Sequence, residues 1–290
     1  MTPGNDRDPP FTDVGIVGLG LIGGSIALGI RSTWPSVRIT GIDRVEVLGA
    51  AARQGAIDGG TAALSDLTGC DLIVLAAPVP AILSLIAEAG AARLTAVVTD
   101  VGSTKRHIMA ASARAGLGAF IGGHPIAGAE HAGLPHARPD LFAGRPWMLV
   151  SESAAGDAAL AALERFARGL GAEPRRVDAT SHDRTMAYLS HLPQLMAVAL
   201  MTAAGDACGE DGLSDAGRAF REMTRLAWSP SDVWRGILAT NGDFVAEALD
   251  TFTARLPSAG TLADGRAIDA LFAAAREWRA RLHDLPARPV

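Results

Sequence analysis

The chain is expected to fold as an α/β half followed by an all-helical half. Residues 13–122 alternate short apolar runs with longer amphipathic ones, while from residue 178 onward only helical periodicity remains. The 290 residues are 49% hydrophobic, enough for two cores at roughly 150 residues per domain. Strands and helices alternating through short connections imply a parallel sheet covered on both faces, with right-handed crossovers.

Residues 1–12 begin MTPGNDRDPP, polar and proline-rich, and read as a flexible tail. Residues 13–177 follow as the α/β half. Val14–Val17, Val37–Ile42, Asp71–Ala77, Ala96–Thr99 and Ala119–Gly122 read as strands. Leu21–Arg31, Val45–Gln54, Pro80–Ala89 and Lys105–Ala115 read as the helices between them. His124–Pro146, rich in proline, glycine and histidine, reads as a long irregular loop of functional type. Trp147–Val150 returns as a strand, Ala158–Leu170 as a helix, and Pro174–Val177 as an edge strand that tolerates proline. Residues 178–290 carry five helical stretches: His182–Cys208, Ser214–Ala227, Pro230–Ala239, Gly242–Arg255 and Leu262–His283. Ser229 before Pro230 reads as a capping serine with proline at the first helical position.

Charge and composition exclude several classes. The net charge is -5, and no basic run is long enough for a nucleic-acid footprint. No apolar run reaches a membrane span of about 18 residues, and the N-terminus lacks a secretory leader pattern. A cytoplasmic protein is expected. Cys70 and Cys208 are too few for a disulfide scaffold and show no metal-ligand spacing, so no metal is expected. Lys105 is the single lysine of the chain.

Gly18-Leu19-Gly20-Leu21-Ile22-Gly23 fits G-x-G-x-x-G between a strand and a helix, the context this motif needs. Gly18 permits the tight turn, Gly20 admits a pyrophosphate, and Gly23 allows close packing, while the helix start at Leu21 and Ile22 offers N–H groups. Asp43 lies 20 residues beyond Gly23, at the end of the second strand. A carboxylate there accepts the ribose hydroxyls and repels a 2′-phosphate, favouring NAD over NADP; Arg44 beside it could relax that preference. The first half is therefore read as a Rossmann-type dinucleotide-binding domain. Ala77 and Pro78, at the end of the third strand, would border the nicotinamide half, or merely start a helix.

Four segments carry unusual polar content: residues 99–105, 122–131, 190–194 and 220–227. Oxidation of a carbinol needs a base for the hydroxyl proton, and His124 follows a strand end at that edge. His191 and Pro193 sit within a helical stretch, where a proline costs about 3 kcal/mol; a pocket wall or a packing bend would account for it. Glu222 and Arg225, three apart, could pair across a helix face or simply be solvated.

Together, GLGLIGGS (18–25), DVGSTK (100–105), GGHPIAGAE (122–130), SHLP (190–193) and FREMTRLAWSPSDVW (220–234) resemble the prephenate/arogenate dehydrogenase family of tyrosine biosynthesis. The resemblance implies NAD-dependent oxidative decarboxylation of prephenate to 4-hydroxyphenylpyruvate. It makes His124 the residue that takes the ring-hydroxyl proton and Ser103 its orienting partner. His191 becomes a second pocket histidine, Arg225 a carboxylate ligand with Glu222 beside it, Glu130 a gating acid, and Trp234 a pocket aromatic. It also implies a homodimer through the helical domain. Gln194 stands where many prephenate-using relatives carry histidine, facing the substrate side chain; a neutral amide there could favour arogenate or serve both substrates. A 4-amino-4-deoxyprephenate dehydrogenase of secondary metabolism is a further alternative. A β-hydroxyacid dehydrogenase would need a catalytic lysine in the helical half, whereas Lys105 lies in the first half. An NAD-sensing module would not need His124, Ser103 and Arg225 together.

Overall fold

The computed structural model describes residues 8–128, 131–152 and 157–285. The first half is built on an eight-stranded sheet in the order β3-β2-β1-β4-β5-β6-β7-β8. Strands β1 (Asp13–Val17), β2 (Arg38–Ile42), β3 (Gly59–Thr61), β4 (Leu72–Leu75), β5 (Val97–Asp100) and β6 (Phe120–Pro125) pair in parallel. The expected all-parallel sheet is corrected at its end. β7 (Pro146–Val150) runs antiparallel to β6, and β8 (Glu173–Arg176) parallel to β7. The chain after β6 turns back along the same edge without a crossover helix, so antiparallel pairing is the direct solution. The loop expected from His124 therefore begins two residues later, because His124 and Pro125 complete β6. Strand β3, GGT, was missed, since glycine gives no strand signal.

Helices α1 (Leu21–Thr33), α2 (Val45–Arg53), α3 (Val79–Ala91), α4 (Arg106–Arg114) and α5 (Asp157–Gly169) cover the sheet. Successive strand residues point to opposite faces. Ile16 and Val74 enter a core with Ile26, Ile30 and Phe166, whereas Val17 and Leu75 enter another with Ile82 and Ile108. Residues 8–12 also correct the expectation of a tail. Phe11 is buried and meets the Phe166 ring edge-on, and the Thr12 N–H donates to Asp71 Oδ2 at 2.8 Å.

The second half is helical. α6 (Ala179–Met186) passes through a π turn at Ala187–His191 into α7 (Leu192–Ser214). The single helix expected over 182–208 is thus two, and Pro193 falls in the first turn of α7, where its missing N–H costs nothing. The stretch expected over 214–227 resolves into α8 (Arg218–Thr224) and a 3-10 turn, Arg225–Trp228. α9 (Ser231–Thr253) joins the two helices expected over 230–255 across a kink at Asn241. Pro230, not Ser229, occupies its N-cap position, and the Ser229 hydroxyl is used elsewhere. α10 (Ala259–Ala263) and α11 (Gly265–Asp284) complete the described chain. At Gly236 of α9 an added Cβ would sit 2.7 Å from Pro80 Cδ, so the halves dock closely through α3 and α9.

Candidate active site

The glycine loop has the geometry its sequence requires. Gly18 has φ +92, and a Cβ there would lie 2.3 Å from the Ala76 carbonyl oxygen. A Cβ at Gly23 would lie 1.9 Å from the Gly18 carbonyl oxygen, so helix and loop touch at bare backbone. A Cβ at Gly20 would meet nothing within 4 Å. Gly20 is also the N-cap of α1 and supplies no side-chain cap, leaving the Leu21 and Ile22 N–H groups for an anion. Asp43 ends β2 beside this loop; it accepts the Leu19 N–H and the Arg44 N–H, each at 2.7 Å. Arg44 itself projects into solvent. Ala77 and Pro78 follow β4 on the same edge, Pro78 as the N-cap of α3. Loop, helix start and acid together fit a dinucleotide.

The adjoining strand ends are tied together by buried ions. Asp100, ending β5, accepts the Gly123 N–H at 3.0 Å and the Gly102 N–H at 2.7 Å, and forms an ion pair with Lys105. Lys105 Nζ also donates to the Gly123 carbonyl at 2.7 Å. Burial pushes the lysine amine below its usual range, against the raising effect of Asp100. The single lysine is thus a fully buried tie between β5 and β6, which removes it as a catalytic amine of the β-hydroxyacid type. Gly123 must be glycine here, because a Cβ would lie 2.4 Å from the Asp100 carbonyl oxygen.

His124 follows that glycine and takes part in a relay the sequence did not reveal. Its Nδ1 lies 2.9 Å from His182 Nε2, and His182 Nδ1 lies 2.8 Å from Asp183 Oδ1. Asp183 is fully buried and also accepts the Lys105 N–H at 2.6 Å and the Arg106 N–H at 2.9 Å. Burial pushes its carboxyl up, but the hydrogen bonds from His182, Arg106 and Lys105 outweigh this and hold it below the usual range. An ionised Asp183 accepts a hydrogen bond from His182 Nδ1–H. His182 Nε2 then accepts from His124 Nδ1–H, which leaves the His124 Nε2 lone pair free. Burial, then the charges of His182, Lys105 and His191, lower the His124 pKa well below 6.5, so the ring is neutral at pH 7. It is a proton acceptor held in one tautomer. His182 and Asp183 are adjacent in sequence, and His182 is 58 residues from His124. Their only sequence signal was a His-Asp pair in the first helix of the second half.

His191 is buried too. Its Nδ1 accepts from Asn241 Nδ2 at 3.2 Å, so Nε2 carries the proton; that nitrogen has no hydrogen-bond partner among the described residues. Burial lowers its pKa to about 4. Trp234 meets the His191 ring edge-on at 5.9 Å. Ser103 lies half-buried on the loop between β5 and α4, and its hydroxyl has no hydrogen bond among the described residues.

Other expected residues sit differently. Arg225 lines an apolar cavity with Phe220, Met201 and Trp228, whereas His124 lines a separate one with Met148, Leu189 and Ser190. Glu222 pairs with Arg218 at 2.6 Å on the exposed face of α8, an i,i+4 pair in place of the expected link to Arg225. Gln194 is buried; its amide donates to the Leu226 carbonyl at 2.8 Å and its oxygen accepts from Ser229 Oγ at 3.2 Å. Both ends of the amide expected to face the substrate are therefore spent on the turn that carries Arg225. Ala129 and Glu130 lie outside the described residues. No cluster of metal-ligating side chains occurs among the described residues.

A dinucleotide edge beside a buried, neutral histidine base defines a nicotinamide-linked dehydrogenase of two-domain type. Residues 26–175 match the nucleotide-binding domain of prephenate dehydrogenase, and residues 178–277 match its dimerization domain. A prephenate dehydrogenase of Lactococcus lactis is 33% identical over 274 residues, covering 91% of this chain and 75% of that protein. A crystal structure of the Aquifex aeolicus prephenate dehydrogenase with hydroxyphenyl propionate and NAD+ superposes with a TM-score of 0.86 at 27% identity, covering 94% of this chain and 98% of that one. An arogenate dehydrogenase of Synechocystis superposes at 0.77, also at 27% identity, covering 93% and 99%. The chain belongs to the prephenate dehydrogenase family.

Proposed function

We propose that this chain is an NAD-dependent prephenate dehydrogenase, producing 4-hydroxyphenylpyruvate and CO2. The observation that carries the reading is the His124–His182–Asp183 relay, which leaves a basic nitrogen at the dinucleotide edge. NAD, when bound, supplies the hydride acceptor. Gly18, Gly20 and Gly23 give its pyrophosphate room, the Leu21 and Ile22 N–H groups meet it, and Asp43 takes the ribose hydroxyls, which favours NAD over NADP.

His124 Nε2 takes the proton of the ring hydroxyl as the hydride departs from the same carbon. The bond to the ring carboxylate breaks, CO2 leaves, and its electron pair completes the aromatic ring. The proton returns from His124 to the phenolate oxygen, so the relay ends as it began. Ser103 orients the hydroxyl, and the unpartnered His191 Nε2–H is a donor for the bound pair. Arg225 is the carboxylate ligand that the family resemblance assigns, with Trp234 a wall of the pocket. Two copies pair through the helical half. The exposure of Phe272, Trp278 and Leu282 on α11, which buries no residue, supports this. No described helix is long and apolar enough to cross a membrane, in keeping with a cytoplasmic enzyme.

The likeness to an arogenate dehydrogenase supports a second reading, in which the amino analogue is preferred. Initial rates with prephenate and arogenate, each with NAD and NADP, separate the two. The primary reading expects kcat/KM for prephenate with NAD to lead by about tenfold, or 1.4 kcal/mol in transition-state preference. An equal lead for arogenate overturns it.

A further inference from the structure

α9 departs from helical backbone geometry at Asn241, which is completely buried. Asparagine is a poor helix residue, and burying an amide is costly unless its polar atoms are paired. Here they are. Asn241 Oδ1 accepts from Arg106 Nη2 at 3.0 Å, and Nδ2 donates to the Asp183 carbonyl at 2.8 Å and to His191 Nδ1 at 3.2 Å. The first two contacts fix the orientation of the amide. Arg106 offers only hydrogens and the Asp183 carbonyl only lone pairs, so a flipped amide would lose both. The third contact is then dictated: the NH2 faces His191 Nδ1, which is the bare nitrogen, and Nε2 carries the proton. His191 closes the π turn Ala187–His191, a rare element that concentrates at functional sites, and its Nε2 is buried without a partner among the described residues. Arg106 and Asp183 also anchor the chain behind His124. Asp183 gives its carboxylate to His182 and its carbonyl to Asn241, while Arg106 binds both Asp183 and Asn241. One buried anchor thus sets two histidines to opposite tasks: His124 presents a bare Nε2, and His191 an Nε2–H.

We propose that Asn241 is a positioning residue of the reaction, holding His191 as a neutral Nε2–H donor toward the bound substrate and cofactor. This rests on the dehydrogenase reading for what the donor meets, whereas the tautomer stands on the hydrogen bonds alone. A fixed N–H orients an oxygen of the bound pair without competing for its proton. The other tautomer would present a second bare nitrogen, a rival to His124. A neutral His191 also keeps a positive charge from His124, whose affinity for a proton such a charge lowers. The charged and titratable groups around Asn241 and His191 are His182 and Asp183 of α6, Arg106 of α4 and Asp243 of α9. Asp183 and Asp243 both direct carboxylate oxygens at Arg106, and His182 points to Asp183 and His124. None of them hydrogen-bonds the His191 ring; Asn241 does.

The test joins tautomer and turnover in the full-length protein. Nitrogen NMR of isotope-labelled histidine at pH 7, with the His191 signals assigned by their loss in His191→Phe, should show Nε2 protonated and Nδ1 bare. Asn241→Leu removes the donor. Asn241→Asp preserves volume and the contact with Arg106, which keeps the new carboxylate ionised, and sets an acceptor against Nδ1; the proton should move to Nδ1. It carries the test if the leucine variant does not fold. With prephenate and NAD, each substitution should lower kcat by about tenfold or more, as His191→Phe should, with NAD affinity within about twofold. In the double variant His191→Phe with Asn241→Leu, kcat should lie within about twofold of His191→Phe alone, because residues acting as one unit are not additive. Asp243→Asn, which loosens Arg106 from its exposed side without touching the amide, should keep the wild-type tautomer, and kcat within about twofold. Losses that multiply in the double variant overturn the proposal and make Asn241 structural only. So does a wild-type His191 protonated on Nδ1, or an Asn241→Asp variant with wild-type tautomer and kcat. A tautomer that shifts as expected in a protein that turns over no prephenate would uphold the hold of Asn241 on His191 and sink the prephenate reading instead.

Discussion

Asp183→Asn probes the relay where structure and chemistry meet. The carboxylate is fully buried and accepts from four N–H groups: Lys105 N and His182 Nδ1 on Oδ1, Arg106 N and Arg106 Nε on Oδ2. Two of these are the backbone donors at the start of α4, whose own N-cap residue, Lys105, supplies no side-chain cap. Asp183 therefore caps a helix of the first half from a helix of the second. Asparagine keeps one oxygen and turns an NH2 toward the other pair of donors, whichever way it is oriented. Two buried donors lose their acceptor, at about 1–3 kcal/mol each. The loss of about 2–6 kcal/mol is a large part of a typical stability of about 5–15 kcal/mol. Catalysis should fall separately, because His182 no longer has a fixed tautomer and His124 Nε2 is no longer held bare. A positioned base contributes about 10²–10⁴-fold, so losing its orientation should lower kcat by at least about tenfold. Urea unfolding measures the first effect; kcat at saturating NAD and prephenate, at a temperature where the variant remains folded, measures the second. A variant with wild-type midpoint and wild-type kcat would refute the relay and the cap together.

Two further outcomes follow from the same packing. His191 has a folded-state pKa of about 4 against an ordinary 6.5, so the unfolded chain binds the extra proton below pH 6.5. Stability should fall as pH drops from 6.5 to 4, by about 3 kcal/mol from this residue; urea unfolding of His191→Phe should show a flatter dependence over that window, and an unchanged slope would refute the assignment. Gln194→Leu leaves the Leu226 carbonyl without its donor and should cost about 1–3 kcal/mol. The kcat/KM ratio of prephenate to arogenate should stay unchanged, whereas a shift of the ratio would show that the amide meets the substrate after all.

What could be read from the sequence was what the backbone demands locally. Gly18 and Gly23 each answer a steric constraint set within a few residues or by the next strand, and Asp43 stands where the second strand must end. Such constraints leave a fixed spacing, so the dinucleotide edge was legible. His124 was legible for the same reason, at a strand end behind a glycine that has no room for a Cβ. The rest of the site depends on contacts with no local trace. His182 reaches His124 only because the first helix after the sheet folds back over β6, and Asp183 reaches α4 by the same docking. Met148 lies opposite His124 because β7 reverses direction, and no count of strands and helices reveals that reversal. Ser229 and Gln194 show the opposite failure. Each had a plausible local role, as a helix cap and as a substrate contact; Ser229 donates to the Gln194 oxygen instead, and the Gln194 amide donates to the Leu226 carbonyl. Polar side chains near a helix start or a pocket have several partners within reach, and burial decides among them. The resulting division is physical: the cofactor edge is written in backbone geometry and the hydrogen-bonded chain behind His124 in tertiary packing. Substitutions at Gly18 or Gly23 should therefore damage folding of the edge itself, whereas substitutions at His182 act on His124 through its tautomer.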